Sequence, residues 1–440
     1  MRRLSFALFL GVIAAPLAAQ APSRTTTLTL DEALSIAKKN NPIYMETVNR
    51  QRSAGLGVRS AYGGLFPTAT SSFGVGWREG KQTFIEGQAF GAAADVLSSN
   101  YSIGFSLNYS LQSILAPRQA NAQLTAAEAT TESQVQQLRQ AVTGAYFNAV
   151  QAVRAAELGD TLLASQRLQL QLAQARERLG SGTPLETKNA EVRLAQQELQ
   201  ALSGHNSADI AKVQLFAQLG VPWQGDVTLT TDLPVTQPSF KLEDLIGDAR
   251  SHNGGLQAAR ATQLSAEIGR RQATGAYVPS FGLSTGIGGQ TSMLTNAKGD
   301  QRTWPFNFDR SPKSVSVGLS LPLWDGFRRE QNTENATLNL NSAREEVRRT
   351  DLNLVATVTA DLLQVQFDYQ AVDLQTRASA AARQALELAQ ERYRVGSATY
   401  LELSNAQDTY QTAENGRLNA IYAYHRDFAA LEAAVGRPLR

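Results

Sequence analysis

Side chains able to do covalent or metal chemistry are few and scattered in this chain. Its 440 residues include no cysteine, which excludes disulfides, thiolate metal sites, cysteine nucleophiles and a lipidated N-terminal cysteine. The three histidines, His205, His252 and His425, are far apart and form no HxxxH or HExxH spacing, so a histidine-built zinc site is not expected. Gly286-Ile-Gly288-Gly289 superficially resembles a phosphate-cradling loop. It lies on an alternating segment, with no helix after it and no Walker lysine, and reads as small lumen-facing residues. No Ser/His/Asp set or cofactor fingerprint is present. The expectation is therefore no enzyme, no cofactor and no resident metal. Charge adds nothing to these: 41 Lys+Arg stand against 39 Asp+Glu, without a basic patch, so no nucleic-acid partner is expected. Two turn motifs remain, Arg178-Leu-Gly-Ser-Gly-Thr-Pro-Leu-Glu186 and Arg394-Val-Gly-Ser-Ala-Thr-Tyr-Leu-Glu402. In each, a glycine suits a helix end and a glutamate follows at a helix start, where a carboxylate is favoured by about 0.3–1 kcal/mol.

These two motifs belong to a repeat that runs the length of the chain. Leu30-Asp31-Glu32 matches Leu242-Glu243-Asp244 at an offset of 212, and Asn41, Gly57 and Pro67 match Asn253, Gly269 and Pro279 in the same frame. The offset grows to 214 at Ser102-x-Gly104-x-Ser106-Leu107 and to 216 at the turn motifs. A period of this length indicates duplication of a domain-sized unit, not a solenoid. The domain reading is a secretory signal over 1–21, a first unit over 22–220, a linker over 221–239 that contains Pro222, Pro234 and Pro238, and a second unit over 240–440. The signal has a positive start (Arg2, Arg3), an apolar core from Leu4 to Ala15, and small residues for cleavage after Ala19 or Ala21.

Each unit has the same internal order. A helix (28–65, then 240–277) carries acidic residues in its first turn and a break at Asn41-Pro42 or Asn253-Gly254-Gly255. Two strands follow, at 67–77 and 102–111, then at 279–289 and 314–324. Ile103, Phe105, Leu107 and Tyr109 alternate with serine, glycine and asparagine, as Val315, Val317, Leu319 and Leu321 do in the second unit. Such strands have one apolar and one small, polar face, as in a sheet on a core or a barrel wall in lipid. Wet loops at 78–99 and 290–313 join them. Trp77, Tyr101 and the Trp304-Pro-Phe306-Asn-Phe308 cluster mark one strand end, and Tyr109, Tyr277 and Trp324 the other, as aromatic belts would. The rest is long helix, from about 118 to 178 and 186 to 219, and 402 to 435 after the second turn. Val355, Val358, Leu362, Val365, Tyr369 and Val372 form a heptad seam, as do Val135, Leu138, Val142, Ala145, Ala149 and Ala152.

Leu28-Thr-Leu-Asp-Glu-Ala-Leu through Asn40-Asn-Pro42, echoed near 240–255, together with the paired Arg-x-Gly-Ser-x-Thr-x-Leu-Glu tips, resembles the TolC family of outer-membrane efflux proteins over the whole mature chain. The resemblance implies a mainly α fold with membrane β-strands. Long coiled-coil hairpins would form an α-barrel, and a homotrimer would pool four strands per protomer into a twelve-stranded β-barrel in outer-membrane lipid. Four short strands cannot close a pore alone, and open edges do not survive in lipid. The implied function is a passive exit duct for efflux or type I secretion, coupled through a periplasmic adaptor (membrane fusion) protein to an inner-membrane pump of RND or ABC type. The alternative is a periplasmic coiled-coil interaction protein without a pore, which leaves the alternating strands without a purpose. By the same resemblance the periplasmic gate falls on Glu186, Tyr393, Glu402 and Asn405. Asn405 stands where some members have an acid and Ala398 where some have an arginine, so a looser gate, or one held by other contacts, is expected. Leu179, Gly180 and Ser181 with Val395, Gly396 and Ser397 are the implied adaptor-binding tips.

Overall fold

The computed structural model describes residues 26–79, 83–90, 95–223, 225, 227–230, 234–294 and 312–439. The 1–21 leader and the Trp304–Phe308 cluster lie outside the described residues. The chain opens with strand β1 (Thr26–Leu28) and helices α1 (Leu30–Asn40) and α2 (Pro42–Gly63). Strand β2 (Thr68–Arg78), a small hairpin of β3 (Thr83–Ile85) and β4 (Gln88–Phe90), and strand β5 (Val96–Tyr109) follow. Helices α3 (Leu111–Arg178) and α4 (Pro184–Leu219) make the first long hairpin, and β6 (Val227–Leu229) leads to the second unit. That unit comprises α5 (Leu242–His252), α6 (Gly254–Thr274), one 3-10 turn, β7 (Ser280–Leu294), β8 (Lys313–Ser320), α7 (Arg328–Arg394) and α8 (Tyr400–Val435).

The duplicated asparagines do the same work in both units. Asn41 Oδ1 accepts the Tyr44 amide at 3.1 Å and its Nδ2 donates to the Gln218 carbonyl at 2.9 Å. Asn253 repeats both contacts, to the Leu256 amide and the Ala434 carbonyl, each at 3.0 Å. One side chain thus caps a helix and ties the returning hairpin to it. Gly220 and Gly436 complete the joint at φ 74° and 86°; an added Cβ would lie 2.4 Å from the Asn40 oxygen and 2.6 Å from the His252 oxygen. Glycine is needed there for handedness and for space.

Strands β2, β5, β7 and β8 form one antiparallel sheet in that order. The register places Phe73 opposite Tyr101, Ile103 opposite Ile287, and Leu283 between Leu107 and Val317. Phe73, Val75, Trp77, Ile103, Phe105, Val315, Val317 and Leu319 consequently share one face, and all are exposed in the single chain. The opposite face is small and polar, with the Ser72 and Ser102 hydroxyls 2.7 Å apart. A Cβ on Gly74 would fall 2.7 Å from Asn100 Oδ1.

Several boundaries differ from the sequence reading. β5 begins at Val96, not 102, and β7 runs to Leu294, not 289, because the two pair along their whole length, from Tyr109↔Phe281 to Val96↔Leu294. Ladder hydrogen bonds between them outweigh the polar composition that read as wet loop. Tyr101 is therefore inside the sheet rather than in a belt at its end. β8 stops at Ser320, not 324, since Pro322 has no N–H for a ladder and Gly326 and Phe327 turn the chain at φ 68° and 65°. α3 starts at Leu111, ahead of Pro117, because Ser110 and Ser113 form a capping box. The linker contains β6, which pairs in parallel with β1; Tyr146 Oη lies 2.9 Å from the Leu28 carbonyl oxygen and 2.8 Å from that of Thr230, bracing this joint.

The core is a chain of patches along the helices. One joins Ala33, Ala37, Val142, Tyr146, Leu215 and Leu219; a second joins Leu245, Leu256, Val358, Leu362, Val365 and Leu431. Helices α3 and α7, with 68 and 67 residues, each extend roughly 100 Å from the sheet at 1.5 Å per residue.

Candidate functional site

The far ends of the two hairpins carry the turn motifs. In the first, Gly180 has φ 74° and the amides of Ser181 and Gly182 both donate to the Arg176 carbonyl, at 2.9 and 3.0 Å. In the second, Gly396 has φ 80° and Ser397 and Ala398 donate to the Arg392 carbonyl at 2.8 and 3.2 Å. These glycine-centred caps satisfy the last carbonyls of α3 and α7. They also push an apolar side chain outward at each tip: Leu179 is 83% and Val395 71% exposed. Gly180, Ser181, Gly396 and Ser397 are exposed beside them. The structure thus presents all six tip residues in two matched turns.

Behind the tips lies a small core of Ala173, Ala190, Leu386, Tyr393, Tyr400 and Leu403. Tyr393 is only 2% exposed. The Arg176 guanidinium lies 4.9 Å from its ring centre, a cation–π contact that bridges α3 and α7. Burial pushes the Tyr393 hydroxyl pKa up; the Arg176 charge opposes this and the Glu186 charge adds to it. Tyr400 meets Tyr393 edge-on at 6.2 Å, and burial raises its pKa as well. The structure therefore brings Tyr393 and Glu186 into one electrostatic neighbourhood. Glu402 and Asn405 are exposed on α8. Glu402 Oε2 accepts the Thr399 amide at 3.0 Å.

Sequence reasoning did not anticipate the contacts that join the hairpins. Arg176 is one. Arg193 on α4 donates to both Asp408 oxygens on α8 at 3.0 Å. Gln166 on α3 donates to Gln407 at 2.8 Å, and Gln407 to Ser165 at 3.1 Å. These are polar residues on helices far apart in sequence. The one readable signal was the repeat itself, which puts Arg176 and Arg392 at equivalent positions before the two glycines.

Among the long helices, α3 packs on α4 and α8, and α7 packs on α8. The lateral order is α4–α3–α8–α7, with α4 and α7 outermost. Both outer helices expose apolar stripes at heptad spacing: Leu185, Val192, Leu199 and Val213 on α4, and Phe367, Leu374 and Leu388 on α7, whose stripe ends at Val395 in the tip turn. An exposed heptad stripe is half of a coiled-coil seam. The sheet is open in the same sense, since among the described residues β2 and β8 each pair on one side.

A family model described as outer membrane efflux protein matches the chain twice, over residues 33–221 and 245–437. Outer membrane protein TolC of Escherichia coli K12 is 24% identical over 296 residues, 66% of this chain and 60% of TolC. The match thus spans about three fifths of that relative's length. The alkaline protease secretion protein AprF of Pseudomonas aeruginosa is 24% identical over 436 residues, 93% of this chain and 84% of AprF. The solved structure of the outer membrane protein VceC of Vibrio cholerae superposes with a TM-score of 0.73 at 19% identity, covering 93% of this chain and 97% of VceC. The fold is thus that of the VceC structure, long hairpins continuing a four-stranded sheet. With both of its repeats matched by the family model, the chain belongs to the outer membrane efflux protein family.

Proposed function

We propose that three copies of this chain close into a passive duct across the outer membrane and the periplasm. The observation that carries this reading is a sheet with one apolar face and two open edges, continued by hairpins whose outer helices expose complementary heptad stripes. Joining β2 of one copy to β8 of the next removes every edge, and joining the α4 stripe to the neighbouring α7 stripe buries both seams. The apolar face then meets lipid and the serine and glycine face lines a water-filled lumen. The signal over 1–21 and the units 22–220 and 240–440 about the linker 221–239 are the domain plan of that protomer.

Transport through such a duct needs no reacting side chain, only a lumen, a constriction and a docking surface. The proposed constriction is at Glu186, Tyr393, Glu402 and Asn405, with Arg176 over Tyr393 and the Arg193–Asp408 pair holding the hairpins together. The proposed adaptor contacts are Leu179, Gly180, Ser181, Val395, Gly396 and Ser397. Energy comes from an inner-membrane pump of RND or ABC type. The efflux description of the family supports one pump class and the secretion role in AprF's name the other. The test is the native mass of the detergent-extracted protein from separated inner- and outer-membrane fractions, followed by bilayer conductance. A trimer in the outer membrane with ion-conducting steps is expected. A soluble monomer or dimer in the periplasm would overturn the duct.

A further inference from the structure

The duplicated chain carries its own template for a contact between copies. The repeat takes β2 to β7 at an offset of 212 and β5 to β8 at an offset of 214. The sheet obeys both offsets. Ser72 lies opposite Ser102 and Phe73 opposite Tyr101. Shifted by the repeat, these pairs become Ser284 with Ser316 and Thr285 with Val315, and both are observed between β7 and β8. The two hairpins therefore have one register, residue for residue.

The remaining junction joins the second strand of the first unit, β5, to the first strand of the second unit, β7. Its repeat equivalent joins β8 to β2. Within one chain these are the two outer strands of the sheet, so the equivalent junction needs another copy. The helices obey the same rule. At an offset of 216 the repeat takes α3 to α7 and α4 to α8. The observed packing of α3 on α8 then becomes α7 of one copy on α4 of the next, the two outermost helices.

We infer that β8 pairs antiparallel with β2 of the next copy in the register of the β5–β7 junction; this rests on the trimeric duct proposed above and adds its residue-level geometry. Ile103↔Ile287 becomes Val317 opposite Val75, Phe105↔Thr285 becomes Leu319 opposite Phe73, and Tyr101↔Gly289 becomes Val315 opposite Trp77. On the other face Gly104↔Gly286 becomes Gly318 opposite Gly74, and Ser106↔Ser284 becomes Ser320 opposite Ser72. Apolar side chains meet apolar ones and small residues meet small ones, as a wall between lipid and a water-filled lumen requires. At the rim Ser99↔Thr291 becomes Lys313 opposite Glu79, a favourable cross-strand charge pair. Neither match entered the mapping. A slip of one residue would turn every side chain of one strand to the wrong face. A slip of two sets Lys313 against Trp77 in one direction and Val315 against Glu79 in the other, and either loses the charge pair.

The chain has no cysteine, so introduced pairs report without background. Directly opposite Cβ atoms lie about 4.5–5.5 Å apart and diagonal ones about 7–8 Å, and a disulfide needs roughly 3.5–4.5 Å. The full-length protein is oxidised mildly in outer-membrane fractions and run on non-reducing denaturing gels. Ser72→Cys with Ser320→Cys should give a covalent trimer, about ten-fold more than Ser72→Cys with Gly318→Cys, the slipped pair. Ser106→Cys with Ser284→Cys, the equivalent pair inside one chain, should form its disulfide without a gain in mass. Equal or stronger cross-linking of the slipped pair would overturn the register. The native mass of the reduced protein separates this from failure of the duct: an intact trimer with the wrong cross-link refutes the register alone, and a monomer or dimer refutes both. If the serine pair does not assemble, Val75→Cys with Val317→Cys on the opposite face decides. A covalent trimer there supports the register and its absence refutes it.

Discussion

The two hairpin tips share a motif and use it differently. At the second, Thr399 and Glu402 form a reciprocal capping box: Thr399 Oγ1 accepts the Glu402 amide at 3.2 Å and Glu402 Oε2 accepts the Thr399 amide at 3.0 Å. At the first, Thr183 Oγ1 accepts the Glu186 amide at 3.3 Å, but the return bond is not made. Thr187 instead donates to Glu177 across the turn at 2.5 Å, and Glu186 directs its charge toward Tyr393. A carboxylate engaged by backbone amides is neutralised locally and stabilises a helix start. One without that bond is available to an interior. The same Thr-x-x-Glu spacing thus yields a candidate gate glutamate tied down by a full capping box at one tip and one without the return bond at the other.

The largest effect expected from perturbing the tips is loss of export when Gly180→Glu and Gly396→Glu are combined. Both glycines have open space around them, so each substitution costs only the left-handed backbone strain, roughly 1–2 kcal/mol. Outer-membrane levels should persist while substrate export disappears, with partial export in each single variant. Normal export in the double variant would remove the docking role from both tips. Next in size is Tyr393→Ala, which removes the surface beneath Arg176 and should raise closed-state conductance in planar bilayers. Tyr393→Phe keeps the ring and the cation–π contact, worth roughly 0.5–2 kcal/mol, and should leave conductance unchanged. If Phe and Ala behave alike, the hydroxyl is the active group and the assignment to the ring fails.

The direct test of tip asymmetry is Glu186→Gln against Glu402→Gln. The first should shift cation preference in reconstituted channels. The second should shift it less, because Glu402 is engaged by the Thr399 amide, and should cost about 0.3–1 kcal/mol at the start of α8, since glutamine keeps the capping acceptor and loses only the charge, measured by thermal unfolding. Equal selectivity changes would mean that the two glutamates are functionally alike. The smallest effect is expected from Arg193→Ala. Its pair with Asp408 is largely exposed, and such pairs contribute about 0.2–1 kcal/mol. Variant and wild type should differ slightly in melting temperature at low salt and converge at high salt.

Much of this molecule was legible in one dimension because its elements are built from local or periodic rules. The heptad seam through Val358, Leu362 and Val365 describes a buried helix face whatever lies opposite. Alternation through Ile103, Phe105 and Leu107 describes one face of a sheet, and Gly180 and Gly396 announce helix ends. The repeat linked both copies of each. Legibility stopped where pairing was long-range. The linker strand at Val227–Leu229 shows itself only against Thr26–Leu28, two hundred residues away. The true lengths of β5 and β7 follow from their mutual ladder, since Ser98-Ser99-Asn100 is polar enough to read as loop.

The sequence by itself determined the duplication, the long helices, the four alternating strands and the positions of both tips, because propensity, periodicity and capping act over a few residues. Only the tertiary structure decided which glutamate is capped, that Arg176 covers Tyr393, and that Arg193 meets Asp408. Each of these depends on where two helices cross and which rotamer the crossing allows, and neither helix encodes that alone.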